Sequence, residues 1–349
     1  MPMKKFFCLS LVLCVLLSTL CACDVKKNKY TATSMDYFDT LITITGYEYT
    51  KEEFDIVAND ILSQFEEYHK LFSIYDEFEG VNNIHTINKL INGEHQTVKV
   101  EKVVIDMLLY AKDMYQKTNG VMNIAMGSVL SLWHEYREKG NENLNIATLP
   151  PMDALKNAAE HTNIEDLVID EVNNTVILKD PKMTLDVGAV AKGYATQCVA
   201  NSLNEKGVTG YLLNVGGTVS PIGSKADGSK WSVGIENPED GDYLAYLELN
   251  SQSVVTSGSY QRFYTVNGKK YHHIIHPDTL MPSDMYLSVS VICDDTALGD
   301  ALSTALFCMT VEEGKNLINS LKNTEALWIT TDGKEFTSNG WINYENDKI

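Results

Sequence analysis

Positive charge, long apolar runs and cysteine are all scarce in this sequence. It has 28 Lys+Arg against 47 Asp+Glu, a formal net charge of -19, so its surface repels phosphate backbones and nucleic acid is not an expected partner. An anionic small molecule then has to be held by a metal ion, backbone N–H groups or a few local cationic side chains. Beyond the first two dozen residues nothing approaches the roughly 20 apolar residues that span a bilayer. Of seven cysteines, Cys8, Cys14, Cys21 and Cys23 crowd the N-terminus. Cys198, Cys293 and Cys308 remain, an odd set scattered in apolar segments, which excludes a disulfide framework and predicts buried free thiols. There is no internal repeat, no low-complexity tract, no G-x-G-x-x-G fingerprint and no Walker spacing.

What is present begins with an address. Lys4 and Lys5 precede an apolar run from Phe6 to Ala22, ending in Leu20-Cys21-Ala22-Cys23. This reads as a signal peptide over 1–22 closed by a lipobox, with lipid on the Cys23 thiol. A polar stretch follows, so residues 23–34 are expected to be the lipidated cysteine and a flexible tether, and residues 35–349 the folded domain. The expected location is outside the cell, anchored to the outer face of the membrane.

Within the domain, alternation predicts a strand over Phe38 to Gly46, and amphipathic periodicity predicts helices over Glu52 to Phe72 and Val103 to Gln116, the second stopped by Asn119-Gly120. From Leu167 short β-branched runs take over, at 167–169, 175–178, 212–215, 231–235, 243–249, 253–256 and 287–293. Helices are predicted between them over Val190 to Leu203 and Leu298 to Cys308. Strands outnumber helices in irregular order, which predicts an α+β fold with mixed or antiparallel sheets and flanking helices.

Five stretches carry candidate chemistry. Asp186-Val-Gly188-Ala189-Val-Ala-Lys192-Gly193 runs from a strand end into a helix whose first N–H groups, with Lys192, could hold a phosphate; alone, it fits tight strand-to-helix packing equally well. Asn214-Val-Gly216-Gly217 and Thr256-Ser257-Gly258-Ser-Tyr260 are further strand ends bearing glycine, each compatible with a plain turn. Tyr271-His272-His273-Ile-Ile-His276-Pro277 holds three of the eight histidines. Pro277 disfavours a helical zinc site, and strand alternation sends His272 and His276 one way and His273 the other, free for acid–base work. Asp300 and Thr304 stand four apart at the start of an apolar helix, placing a carboxylate and a hydroxyl on one face as a hard cation such as Mg²⁺ prefers. An aspartate complementing the helix dipole explains Asp300 as well.

Together these stretches resemble the flavin transferase family, the FAD:protein FMN transferases first associated with thiamine biosynthesis lipoproteins. Asp186-Val-Gly-Ala-Val-Ala-Lys-Gly is similar to its D-x-G-A-x-A-K-G segment, Leu213-Asn-Val-Gly-Gly to L-N-x-G-G, Thr256-Ser-Gly-Ser-Tyr to T-S-G-x-Y, His273-Ile-Ile-His-Pro-Asp-Thr to H-I-I-D-P-x-T, and Asp300-Ala-Leu-Ser-Thr to D-A-L-x-T. Upstream, Phe38-Asp39-Thr40 stands where many members have Met-Gly-Thr, and Tyr75 and Asn88 fall in an early ligand-facing segment. The resemblance implies a T-fold-like flavin transferase architecture. It also implies FAD as substrate in an extended cleft touching Phe38, Tyr75, Asp186, Lys192, Asn214, Gly216, Gly217, Ser257 and Gly258. Mg²⁺ is implied on the carbonyl of Ala189, the carboxylate of Asp300 and the hydroxyl of Thr304, with His273 as base and Lys192 steadying phosphates. The implied acceptor is a Thr in a short motif of an exported or membrane redox protein. Two departures are His276 for the usual Asp and Leu280-Met281-Pro282 for the usual Gly before Pro, both expected to alter the loop and not abolish binding. A Mg²⁺-dependent FAD pyrophosphatase and a non-catalytic flavin-binding lipoprotein are the alternatives.

Overall fold

The computed structural model describes residues 26–89 and 97–345; the expected signal peptide and Cys23 lie outside them. In chain order the elements are β1 (Asn28–Ser34), β2 (Ile42–Glu48), α1 (Lys51–Phe72), α2 (Ile84–Lys89), β3 (Val98–Lys99), α3 (Lys102–Lys117), α4 (Gly127–Glu142), α5 (Met152–Ala159), β4 (Leu167–Asp170) and β5 (Thr175–Leu178). Then come α6 (Ala191–Glu205), β6 (Tyr211–Val215), β7 (Thr218–Ile222), β8 (Trp231–Glu236), β9 (Tyr243–Leu249), β10 (Ser253–Gly258), β11 (Phe263–Val266), β12 (Lys269–His272) and β13 (Tyr286–Cys293). The chain closes with α7 (Thr296–Phe307), α8 (Val311–Ser320), β14 (Glu325–Thr330) and β15 (Glu335–Thr337). The fold is α+β, as expected.

One antiparallel sheet dominates, in the order β1-β2-β6-β7-β10-β13-β14-β15. Both faces are covered, and the alternation of β14 shows how. Ala326 and Trp328 enter the large core formed with α1, α3, α6 and α7, while Leu327 and Ile329 face the β8–β9 hairpin and its Trp231. A third cluster packs α4 against the β11–β12 hairpin through Trp133 and Tyr264. Among the described residues no helix is long and apolar enough to cross a membrane.

Three sequence expectations need correction. Residues 28–34 are not tether: β1 pairs with β2 along its whole length, from Asn28 opposite Glu48 to Ser34 opposite Ile42. Its inward side chains are few, Tyr30 tilting against Phe54 at 5.6 Å among them, so an edge strand this polar reads as linker. The strand predicted from Phe38 starts only at Ile42, because Phe38 and Asp39 both take left-handed backbone, φ 56° and 49°. Finally, α7 begins at Thr296, where Asp295 caps the Ala297 and Leu298 N–H groups. Asp300 therefore stands in the second turn and is not the residue that caps this helix.

Candidate active site

The site is built where α6 and α7 cross. Gly193 makes the crossing possible: a Cβ there would lie 2.3 Å from the Thr296 carbonyl and 2.4 Å from Asp300 Cβ. At that separation the Gly193 N–H donates to Asp300 Oδ2 at 2.7 Å, and Lys192 Nζ donates to Asp300 Oδ1 at 2.7 Å and to Thr218 Oγ at 2.9 Å. Gly193 stands in the first turn of α6, where an N–H has no carbonyl partner within the helix, so Asp300 Oδ2 satisfies a donor that would otherwise be unpaired. The Ala189 carbonyl precedes the Val190 N-cap and so lies outside the helical ladder altogether. Asp300 is 4 % exposed, so its charge is compensated by a cation and a backbone donor, as burial requires. One turn further along α7 lies half-buried Thr304, whose hydroxyl has no hydrogen-bond partner among the described residues.

The glycine-bearing strand ends meet this node. Gly216 and Gly217 turn β6 into β7 with φ 53° and 89°. A side chain at Gly216 would strike Thr40 Oγ at 2.0 Å, so the turn is seated on the 38–40 segment. Asn214, exposed at the end of β6, accepts the Gly217 N–H at 3.3 Å. From β10, Ser257 shares a 2.8 Å hydrogen bond with Ser303, the neighbour of Thr304, and Gly258 lies under the Tyr260 ring. Upstream, Asp186 accepts the Gly188 N–H at 2.8 Å. Asn88, expected to face ligand, instead clamps the backbone of Leu185 with both ends of its amide, at 2.7 and 2.9 Å; it sets where Asp186 stands.

The three histidines are sorted by their partners. His272 is buried, gives its Nε2–H to the Ser283 carbonyl and accepts the Ile274 N–H on Nδ1, which makes it scaffold. His276 Nδ1 accepts the Asp278 N–H at 3.1 Å. Nδ1 sits as many bonds from the backbone as an aspartate oxygen, so histidine reproduces the turn an Asp would make. In the same loop Leu280 holds the left-handed conformation, φ 60°, that a glycine would take without strain. It is pinned there by burial and by the Trp133 indole N–H on its carbonyl at 2.9 Å. His273 lies past the end of β12, with Nδ1 3.2 Å from the Arg262 carbonyl. A carbonyl only accepts, so Nδ1 carries the proton and Nε2 keeps a lone pair. Burial, then the charges of Arg262, His272 and Arg137, pull its pKa down to about 3 against the pull of that hydrogen bond.

Around His273 stands a rim in which Phe38, Tyr75 and Asp186 were expected from the sequence, while His134, Arg137 and Arg262 were not. Tyr75 packs on His134 with ring centroids 4.9 Å apart, and Arg137 Nη2 donates to His134 Nδ1 at 2.7 Å. Desolvation raises the Asp186 carboxyl above its usual range, opposed by the Gly188 N–H and by His134, Arg137 and Arg262. Arg262 Nη2 reaches across to Asp39, 2.6 Å from its carbonyl and 3.0 Å from its carboxylate. Phe38 stands beside it, with its N–H on His69 Nδ1 at 3.2 Å. A signal for this rim was available: Arg137 and Arg262 are the two arginines of a chain whose other basic residues are lysine. Placing the permanently charged, planar guanidinium at just these positions is not interchangeable with lysine.

An antiparallel α+β scaffold with a buried carboxylate and a hydroxyl at a helix crossing, facing glycine turns and a neutral histidine, defines an enzyme class that works on anionic, phosphate-bearing ligands. Residues 38–328 match the sequence pattern of the ApbE family, to which this chain belongs. A Klebsiella pneumoniae protein named FAD:protein FMN transferase is 30% identical over 267 residues, covering 75% of this chain and 80% of its own. The crystal structure of the ApbE protein of Thermotoga maritima superposes with a TM-score of 0.80 at 26% identity, over 92% of this chain and 100% of that one. Flavin transferase ApbE from Vibrio cholerae shares the fold at TM-score 0.74 and 22% identity, over 91% and 99% of the two chains.

Proposed function

We propose that this protein transfers FMN from FAD to a threonine hydroxyl of an acceptor protein and releases AMP. The observation that carries the reading is the Gly193–Asp300 hydrogen bond, which holds a carboxylate at the first turn of the helix that the Ala189 carbonyl precedes. These donors and Thr304 are hard oxygens with no sulfur or nitrogen among them, a set that suits Mg²⁺. Bound there, Mg²⁺ would supply charge neutralisation at the FAD diphosphate.

The chain's own groups account for the rest. The start of α6, Lys192 and the Gly216-Gly217 turn receive the diphosphate. The rim of Phe38, Tyr75 and Asp186 takes the flavin end. His273 Nε2 accepts the proton of the attacking hydroxyl; the new O–P bond forms on the FMN phosphorus as the bond to the AMP phosphate breaks, and AMP leaves with the electron pair. For location, the proposal is export and anchoring through lipid on Cys23, which stands five positions before Asn28, where β1 begins.

The test incubates purified protein with FAD, Mg²⁺ and a Thr-containing acceptor peptide, followed by denaturing-gel flavin fluorescence and AMP chromatography. Fluorescence on the peptide with equimolar AMP supports transfer. Free FMN and AMP alone would make the protein a FAD pyrophosphatase, since water and threonine need the same base; intact FAD would make it a carrier. Asp300→Asn should reduce transfer about 100-fold while leaving the Gly193 hydrogen bond in place. For the anchor, Cys23→Ala should move the protein from the membrane to the soluble fraction.

A further inference from the structure

We propose that Asp39 and Arg262 form a clasp that orients His273, which makes Arg262 a positioning residue for the reaction; this rests on the transferase reading above. The two residues are 223 positions apart in sequence and come from opposite sides of the site. Asp39 belongs to the turn seated on Gly216, and Arg262 to the loop leading into β11.

Backbone geometry makes the clasp. Phe38 and Asp39 are successive side-chain-bearing residues in the left-handed region, with φ 56° and 49°, a conformation that aspartate tolerates better than most. Held so, Asp39 presents both its carbonyl and its carboxylate to one nitrogen, Nη2 of Arg262, at 2.6 and 3.0 Å. The carbonyl of that same Arg262 takes the His273 Nδ1–H at 3.2 Å. His273 lies beyond the last hydrogen-bonded residue of β12, so strand register does not hold its ring. Among the described residues its side chain has no other hydrogen bond. The clasp therefore acts at one atom on one side and selects a tautomer on the other, exposing Nε2 as the base.

Energetics argue that this is not a device for stability. The Arg262 and Asp39 side chains are 46% and 93% exposed, and exposed pairs contribute little to folding. What the pair controls is direction, and a base displaced by about 1 Å loses catalysis out of proportion to any lost binding. The charges facing the ring, Arg262, Arg137 and His272, all oppose its protonation, so releasing Arg262 also makes His273 easier to protonate.

The experiment combines nitrogen-15 NMR of labelled histidine with steady-state kinetics on the purified protein. Wild type should show His273 as the Nδ1–H tautomer, neutral at pH 5. Arg262→Ala should give mixed tautomers and a higher titration midpoint, with kcat for transfer down about 10- to 100-fold and KM for FAD within about threefold. Asp39→Asn, which keeps both acceptors, should stay within about threefold of wild type. Asp39→Gly removes the carboxylate in a backbone that glycine adopts freely, so it should fold and lie between the two. An unchanged His273 tautomer in Arg262→Ala, or an Asp39→Gly enzyme indistinguishable from wild type, overturns the clasp. A rise in KM for FAD matching the fall in kcat also overturns it, making Arg262 a FAD contact. If wild type moves no FMN at all, the transferase reading falls, while the tautomer measurement still decides the clasp.

Discussion

Replacing Gly193 with Ala adds one methyl at the crossing of α6 and α7, and its effects on stability and on turnover should separate. In an unobstructed helix the change would gain about 1 kcal/mol from lower backbone entropy in the unfolded chain. Here the methyl meets the Thr296 carbonyl at 2.3 Å and Asp300 Cβ at 2.4 Å, and neither is the yielding end of a long side chain. Forcing an extra carbon into a packed crossing costs about 1–3 kcal/mol, so the net loss is about 0–2 kcal/mol. With unfolding entropy of about 2.1 cal/mol/K per residue over roughly 300 residues, that lowers the melting temperature by only about 0–3 °C. Relief of the overlap must move Asp300 by about 1 Å, breaking the 2.7 Å bond to the Gly193 N–H and shifting the one to Lys192; such displacement typically lowers turnover about 100-fold. Differential scanning calorimetry and initial rates of AMP release measure the two sides. A Gly193→Ala protein turning over within threefold of wild type would refute the claim that this crossing sets the carboxylate.

Other expectations follow from single contacts. His276→Asp should leave AMP release within about threefold of wild type, because Nδ1 already caps the turn at Asp278; a rise of orders of magnitude would mean the aspartate does something histidine cannot. The acid limb of the rate should not fall near the usual histidine value of about 6.5, because His273, drawn to about 3, is still the free base there; a midpoint near 6.5 that vanishes in His273→Ala would contradict this. The linkage has the same sign: the unfolded histidine takes a proton first, so its contribution to stability falls as pH drops from about 6.5 toward 3. Burial raises the thiols of Cys198, Cys293 and Cys308 to about 11, 12 and 12. A thiol reagent at pH 8 should therefore leave them unmodified in the native state and label all three in denaturant.

How much was legible in the sequence depended on whether a segment's pattern belonged to it alone. Strands β5 and β9 match their predicted bounds, since their β-branched and aromatic residues lie between clear turn signals. Strand β1 escaped because it sits at an edge, where half-exposed Thr and Lys are as suitable as apolar residues. Helix α4, which brings Trp133, His134 and Arg137 to the site, opens Gly-Ser and carries few apolar residues, so its periodicity is faint. The glycine strand ends and the Asp300 motif were visible because backbone approach and charge demand particular residue types. Asp39 lay in a segment the sequence singled out, but its pairing could not be seen, because that depends on a positive φ and on a partner 223 residues away.

The main-chain groups at the start of α6 have a consequence for mutational scanning. A group supplied by the main chain is not encoded by the residue that bears it, so substitutions at Ala189 that preserve the local turn would leave its carbonyl in place and score as silent. Gly193, which contributes no side chain at all, would score as indispensable. Read without coordinates, such a map would shift the apparent location of the chemistry by four residues, onto the position whose emptiness lets the two helices meet.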